Sequence, residues 1–65
     1  MHPEYAGMTV NERLFSAGLL DAFDAAARRR DRDEMLRVLR EVELASSDAT
    51  RTIELILADP RKYGF

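Results

Sequence analysis

The chain has 65 residues, no cysteine and a formal net charge of −2 at pH 7. This length supports one domain with a small core, and the absence of cysteine excludes disulfides and thiolate-bound zinc as means of stabilising it. The near balance of 10 basic and 12 acidic residues excludes an overall electrostatic attraction to nucleic acid or anionic lipid. Packing of the hydrophobic residues, which make up 46% of the chain, must therefore stabilise the fold.

The first eight residues are predicted to form a flexible tail. They contain Pro3 and Gly7 and show no apolar periodicity, so we assign residues 1–8 to the tail and residues 9–65 to a single helical domain. The single histidine, His2, lies in the tail, where no neighbour is expected to tune its pKa or share a metal ion. The sequence contains neither an apolar run long enough to span a bilayer nor a segment that resembles a signal peptide. We therefore expect a cytoplasmic protein.

The first predicted helix covers residues 10–17. It begins at a capping box, in which the Thr9 hydroxyl accepts from the Glu12 backbone and the Glu12 carboxylate accepts from the Thr9 backbone. Gly18 is suited to the left-handed conformation that ends a helix. The alternative is one longer helix that absorbs Gly18 at a cost of about 1 kcal/mol relative to alanine.

Two further helices are predicted on either side of a tight turn. Leucine, phenylalanine and alanine recur at helical spacing over residues 19–30, which predicts an amphipathic helix. Asp31 is the predicted cap of a third helix over residues 32–43, with Glu34 reaching back as in a second capping box. The two helices must therefore be close neighbours in space.

The fourth predicted helix covers residues 47–58, with Ser46 or Ser47 as its cap and Asp59–Pro60 as its end. Pro60 then opens a single turn that Gly64 closes. No segment alternates with a period of two residues, so we predict an all-α fold, a compact bundle of four short helices with a C-terminal turn and no strands. The predicted core contains Leu14, Leu20, Phe23, Ala27, Met35, Val38, Leu39, Val42, Ile53, Ile56 and Leu57.

Catalytic and metal-binding motifs are incomplete in this sequence. The serines have no activating base, and the three glycines are too scattered to form a phosphate-binding loop. Asp31, Asp33 and Glu34 come closest to a cation site, but they lack the glycine and the downstream acid of a calcium loop. We expect no enzymatic activity, no cofactor and no metal.

Six arginines surround the predicted turn between the second and third helices. This arginine corner consists of Arg28, Arg29, Arg30, Arg32, Arg37 and Arg40. Such a layout is able to bind phosphates, so a nucleic-acid-associated protein is the alternative function. Acidic residues interleave with these arginines, however, and the third helix lacks the Asn or Gln that reads adenine. The interpretation we favour is a solvated face with salt bridges.

Four apolar side chains are candidates for contact with a partner protein. Phe15 and Leu55 lie off the main apolar stripes of their helices, which indicates apolar surface outside a minimal core. Tyr63 and Phe65 either dock in a partner's groove or fold back to seal the core, and we favour the second interpretation. The leading hypothesis is a non-enzymatic protein–protein interaction or regulatory module, for which a homodimer is one way to bury the exposed surface.

The chain also resembles small uncharacterised helical proteins of proteobacteria. The resemblance lies in the segments Asn11–Phe15 (NERLF), Ala17–Leu20 (AGLL) and Ala58–Phe65 (ADPRKYGF), and it covers nearly everything from Met8 onward. It implies a bacterial cytoplasmic protein with a helical fold. It implies no activity, cofactor or catalytic residue.

Overall fold

Among the residues that the structure describes, four helices in sequence and a short C-terminal turn form the fold. A computed structural model describes Tyr5 and residues 7–65. The elements are α1 (Val10–Ala17), α2 (Leu20–Arg28), α3 (Arg32–Glu41), α4 (Ser46–Ala58) and a 3₁₀ turn (Pro60–Tyr63). Each helix packs mainly against its neighbours in the chain, and the whole measures 34 × 22 × 20 Å. The described residues contain no strand, and the prediction of an all-α bundle with a C-terminal turn is confirmed.

The local signals around α1 act as the sequence predicts. The Glu12 backbone donates to the Thr9 hydroxyl at 3.2 Å, and the Thr9 backbone donates to the Glu12 carboxylate at 2.9 Å. Gly18 has a φ of 72°, and the next amide, that of Leu19, donates back to the Leu14 carbonyl at 2.8 Å. This is the glycine-ended closure of a helix. Gly18 therefore ends α1, and the alternative of one longer helix is wrong.

The C-terminal ends of α2 and α3 have the same closure without a glycine. Arg30 has a φ of 57° and Glu43 a φ of 62°. The amides that follow them donate back to the carbonyls of Ala26 and Leu39 at 2.9 and 3.2 Å. A left-handed conformation costs an L-residue about 1–2 kcal/mol, so packing of the next element must hold these two residues in place. Both helices consequently end two residues before their predicted bounds.

The start of α3 matches its prediction in part. The Asp31 carboxylate accepts from the Glu34 backbone at 3.2 Å, so Asp31 is the predicted cap. The reciprocal half of the capping box is absent, because the Glu34 carboxylate accepts instead from the Arg37 guanidinium at 2.7 Å. The Arg37 guanidinium donates two hydrogen bonds to the Glu34 carboxylate. It therefore competes well with the single backbone amide of Asp31 for that carboxylate.

The start of α4 differs from its prediction. The N-cap position is Ala45, which has no side-chain acceptor, and Ser46 is already the first helical residue. The prediction of a cap at Ser46 or Ser47 is therefore wrong. The closure of α3 brings Leu44 directly back onto the core, so the chain enters α4 one residue earlier than the serines suggest.

The core lies between the four helices. Its fully buried large side chains are Leu14, Met35, Leu39, Val38 and Val42. The predicted core residues are buried with one exception, Leu20, which is half-buried and packs against the edge of the core. Leu20 is the first residue of α2, where its side chain lines a surface groove.

Two residues of the predicted tail contact the core. Tyr5 is buried, and Met8 packs against the same cluster while its amide donates to the Tyr5 carbonyl at 3.0 Å. The Arg13 guanidinium lies 5.7 Å from the centre of the Tyr5 ring. Residues 1–4 and 6 of the predicted tail, including His2, lie outside the described residues. Within the described part, none of the helices has the length and apolarity that crossing a bilayer requires.

Candidate partner-binding face

Large apolar side chains remain exposed on the folded chain. Among the described residues they are Phe15, Leu55 and Tyr63, with exposed fractions of 75%, 49% and 39%. Phe65 is half-buried and packs against the core, as expected for a residue that folds back. Tyr63, by contrast, does not seal the core. Three of the four candidate partner-binding side chains are therefore accessible to a partner.

Leu55 and Tyr63 line one groove, between the start of α1 and the outer side of α4. Its volume is about 310 Å³, and the buried side chains of Phe23 and Ile56 form its floor. The polar residues at its edge include Thr52. The groove therefore offers an apolar floor, apolar walls and a polar rim.

A second groove of about 480 Å³ adjoins the first one and is lined by Leu20 and Phe65. The two share Phe23, Ile56 and Tyr63, so they form one continuous depression. We call this depression the C-terminal groove.

The end of α4 and the 3₁₀ turn create the C-terminal groove. Ile56 and Leu55 are adjacent on α4, so the helix directs the first inward and leaves the second exposed. Pro60 then turns the chain, and the Phe65 amide donates to the Pro60 carbonyl at 2.9 Å, with Gly64 at a φ of 87°. This closure lays Phe65 against α2, where the Arg28 guanidinium lies 5.9 Å from its ring centre.

Phe15 lies on the same side of the molecule, at the border of the C-terminal groove. A shallow depression beside Phe15 is lined by Met8, Asn11 and Leu20, and the last two also line the C-terminal groove. All four candidate side chains thus belong to one surface, the aromatic face, which we define as Phe15, Leu20, Leu55, Tyr63 and Phe65. Sequence reasoning missed Leu20, because its helical spacing is that of a core residue.

The arginine corner is largely engaged within the chain. Arg32 forms an ion pair with Glu54, and Arg37 contacts the carboxylates of Glu34 and Glu41 at 2.7 and 3.0 Å. Partners on the protein reduce the positive potential that a phosphate backbone would meet. These pairs are exposed, so their contribution to stability is small.

The remaining arginines of the corner do not converge on one point. The Arg30 side chain donates to the Leu57 carbonyl at 3.2 Å and so satisfies the end of α4, and Arg29 lies 3.5 Å from the Asp31 carboxylate. Arg28 faces Phe65, while Arg40 borders a shallow surface depression on α3. The arrangement supports the interpretation of a solvated face with salt bridges.

Within the described part of the chain, three carboxylates have pKa values shifted by their hydrogen bonds. The backbone and hydroxyl of Thr9 lower the pKa of Glu12, the Arg37 guanidinium lowers the pKa of Glu34, and the Arg32 guanidinium lowers the pKa of Glu54. All three groups are more acidic when the chain is folded. They therefore couple folding to pH in the acid range.

We expect Glu12→Gln to reduce the acid sensitivity of the fold. A carboxyl group whose pKa is lowered on folding stabilises the protein above its unfolded pKa, which for glutamate is about 4.5. That contribution is lost as the pH falls below this value and through the lowered folded pKa. Glutamine keeps the acceptor of the capping box but does not titrate. Urea unfolding followed by circular dichroism at several pH values should show a shallower loss of stability for the variant.

The matched control is Glu43→Gln, which removes one carboxylate outside the Thr9–Glu12 capping box. This control separates the effect of losing one negative charge from the effect of the capping box. An unchanged slope for Glu12→Gln would show that the capping box does not contribute to acid unfolding.

No group of three His, Cys, Asp or Glu side chains within the described part of the chain is placed to hold a metal ion. No protein-family model, curated protein or solved structure matches the chain. The resemblance to small proteobacterial proteins therefore stays a prediction.

Proposed function

We propose that this protein is a non-enzymatic protein–protein interaction module that binds its partner through the aromatic face. The observation that carries the proposal is the meeting of exposed apolar side chains from α4 and the 3₁₀ turn around one groove with an apolar floor, with exposed Phe15 of α1 beside the adjoining depression. Contiguous apolar surface with a polar rim is typical of interaction sites, and aromatic residues are enriched in them.

The shape of the C-terminal groove favours an apolar anchor. Phe23 and Ile56 are already buried, so the floor is rigid and its conformational cost on binding is small. Thr52 and Asn11 at the edge supply polar groups that orient a bound chain. We infer that the partner inserts one large apolar side chain here.

The test is affinity capture with a matched pair of variants. The tagged wild type, Leu55→Ser and Ala58→Ser are used to capture proteins from the native lysate, with and without nuclease, and retained proteins are identified by mass spectrometry. Leu55 lines the groove, whereas Ala58 is an exposed residue of the same helix that lines neither groove. Loss of an apolar anchor contact weakens binding by about tenfold or more.

We expect a protein that survives nuclease treatment, is retained by Ala58→Ser and is lost with Leu55→Ser. Equal capture by both variants would contradict the use of the aromatic face. Retention that disappears with nuclease would favour the alternative function at the arginine corner.

A further inference from the structure

The aromatic face contains both a protruding side chain and a depression that fits it. Phe15 is 75% exposed, the largest exposed fraction among the large apolar side chains of the described residues. The larger part of the C-terminal groove, at about 480 Å³, has room for an aromatic ring, and its walls include Phe65 and Tyr63. Aromatic rings associate favourably with one another in offset or edge-to-face geometry.

The charges beside Phe15 and those of the C-terminal groove are opposite. Glu12 and Asp21 are the charged residues that line the depressions beside Phe15. The C-terminal groove is lined by Arg28, Lys62 and one acid, Asp24, so it has an excess of one positive charge. Contact between the Phe15 region of one molecule and the groove of another therefore brings opposite charges together.

The two regions adjoin each other, which allows a closed pair. Asn11 and Leu20 line both the depression beside Phe15 and the C-terminal groove. In a two-fold symmetric dimer each copy provides the same patch, so each Phe15 enters the partner's groove and the shared residues lie near the axis. Leu20, which the bundle leaves half-buried, becomes covered there.

The area that such a dimer needs is a moderate share of the accessible surface of this chain. A stable interface takes about 800 Å² from each partner, roughly a sixth of the 4637 Å² accessible surface of this chain. A domain of this size buries a smaller share of its surface on folding than a large one, so additional apolar burial has a large relative effect.

We infer that the partner of the aromatic face is a second copy of this chain, with Phe15 of each copy seated in the C-terminal groove of the other. This inference rests on the proposed function, since it names the occupant of the same surface. The dimer is held by apolar contact at the centre and by Asp21 and Lys62 of opposite copies at the rim.

The first experiment measures the oligomeric state by analytical ultracentrifugation from micromolar to millimolar concentration. The wild type and the Ala58→Ser control are expected to form dimers. Phe15→Ser should weaken the dimer by about tenfold or more. Phe15 is exposed in the single chain, so the variant should keep its helical circular dichroism and remain a valid test.

A charge exchange tests the orientation of the pair. Asp21→Lys and Lys62→Glu should each weaken dimerisation several-fold, and the double variant should restore it to near the wild-type level. The proposed arrangement would be overturned if Phe15→Ser dimerised as tightly as the wild type. It would also be overturned if the double charge variant dimerised no more tightly than the single variants.

If the protein is monomeric at every concentration, the inference of self-association is wrong. The proposed function is contradicted by a different result, which is equal capture by Leu55→Ser and Ala58→Ser. Capture of another protein that depends on Leu55 would then still support an interaction module. In the capture experiment, mass spectrometry distinguishes an untagged copy of this chain from any other protein.

Discussion

Leu39→Ala is expected to destabilise the protein by about 2–5 kcal/mol, because it leaves a cavity where a fully buried side chain stood. Leu39 lies on α3, the helix that packs against both α2 and α4. A chain of 65 residues has a total stability of about 3–10 kcal/mol, so this one change removes a large share of it. Urea unfolding monitored by circular dichroism gives the free energy of unfolding directly.

The control for this prediction is Leu39→Met, which conserves volume and should cost less than about 1.5 kcal/mol. If the alanine and methionine variants were equally stable, the core between α2, α3 and α4 would not be the main source of stability.

Arg13→Ala is expected to destabilise the protein by about 1–3 kcal/mol, because it leaves backbone carbonyls without their donor. The Arg13 guanidinium donates to the carbonyls of Val42 and Glu43 at 3.3 and 3.4 Å and lies over the Tyr5 ring. It therefore joins α1 to the end of α3. Thermal unfolding should shift down by about 4–8 °C for each kcal/mol lost.

Arg13→Lys provides the comparison, since lysine keeps the positive charge but not the planar fork that reaches two carbonyls. The melting temperature of Arg13→Lys should lie between those of Arg13→Ala and the wild type. A wild-type melting temperature for Arg13→Ala would show that water replaces the guanidinium without cost.

The helix pattern was predictable because its signals are local. The capping residues Thr9 and Asp31, the glycine at position 18 and the proline at position 60 each act on their own turn of the chain. The left-handed residues Arg30 and Glu43 were not predictable in this way. Neither residue type favours that conformation, which is imposed by the packing of the following helix.

The sequence predicted individual residues of the aromatic face but not that they form one surface. Phe15, Leu55, Tyr63 and Phe65 were each named from spacing or position, but their convergence depends on how α1 and α4 are oriented. The burial of Tyr5 was missed for the same reason, since its neighbours come from the folded bundle and not from its own segment. Likewise, the ion pair between Arg32 and Glu54 depends on how α3 and α4 pack against each other, so the local sequence does not predict it.

The sequential packing of the helices has a consequence for the rate of folding. Because each helix mainly contacts the one before it and the one after it, the chain needs to close only short loops to reach its native contacts. Proteins dominated by such local contacts fold in microseconds to milliseconds. The apolar core is therefore buried within about the same short time, which limits how long its side chains are exposed in partly folded forms.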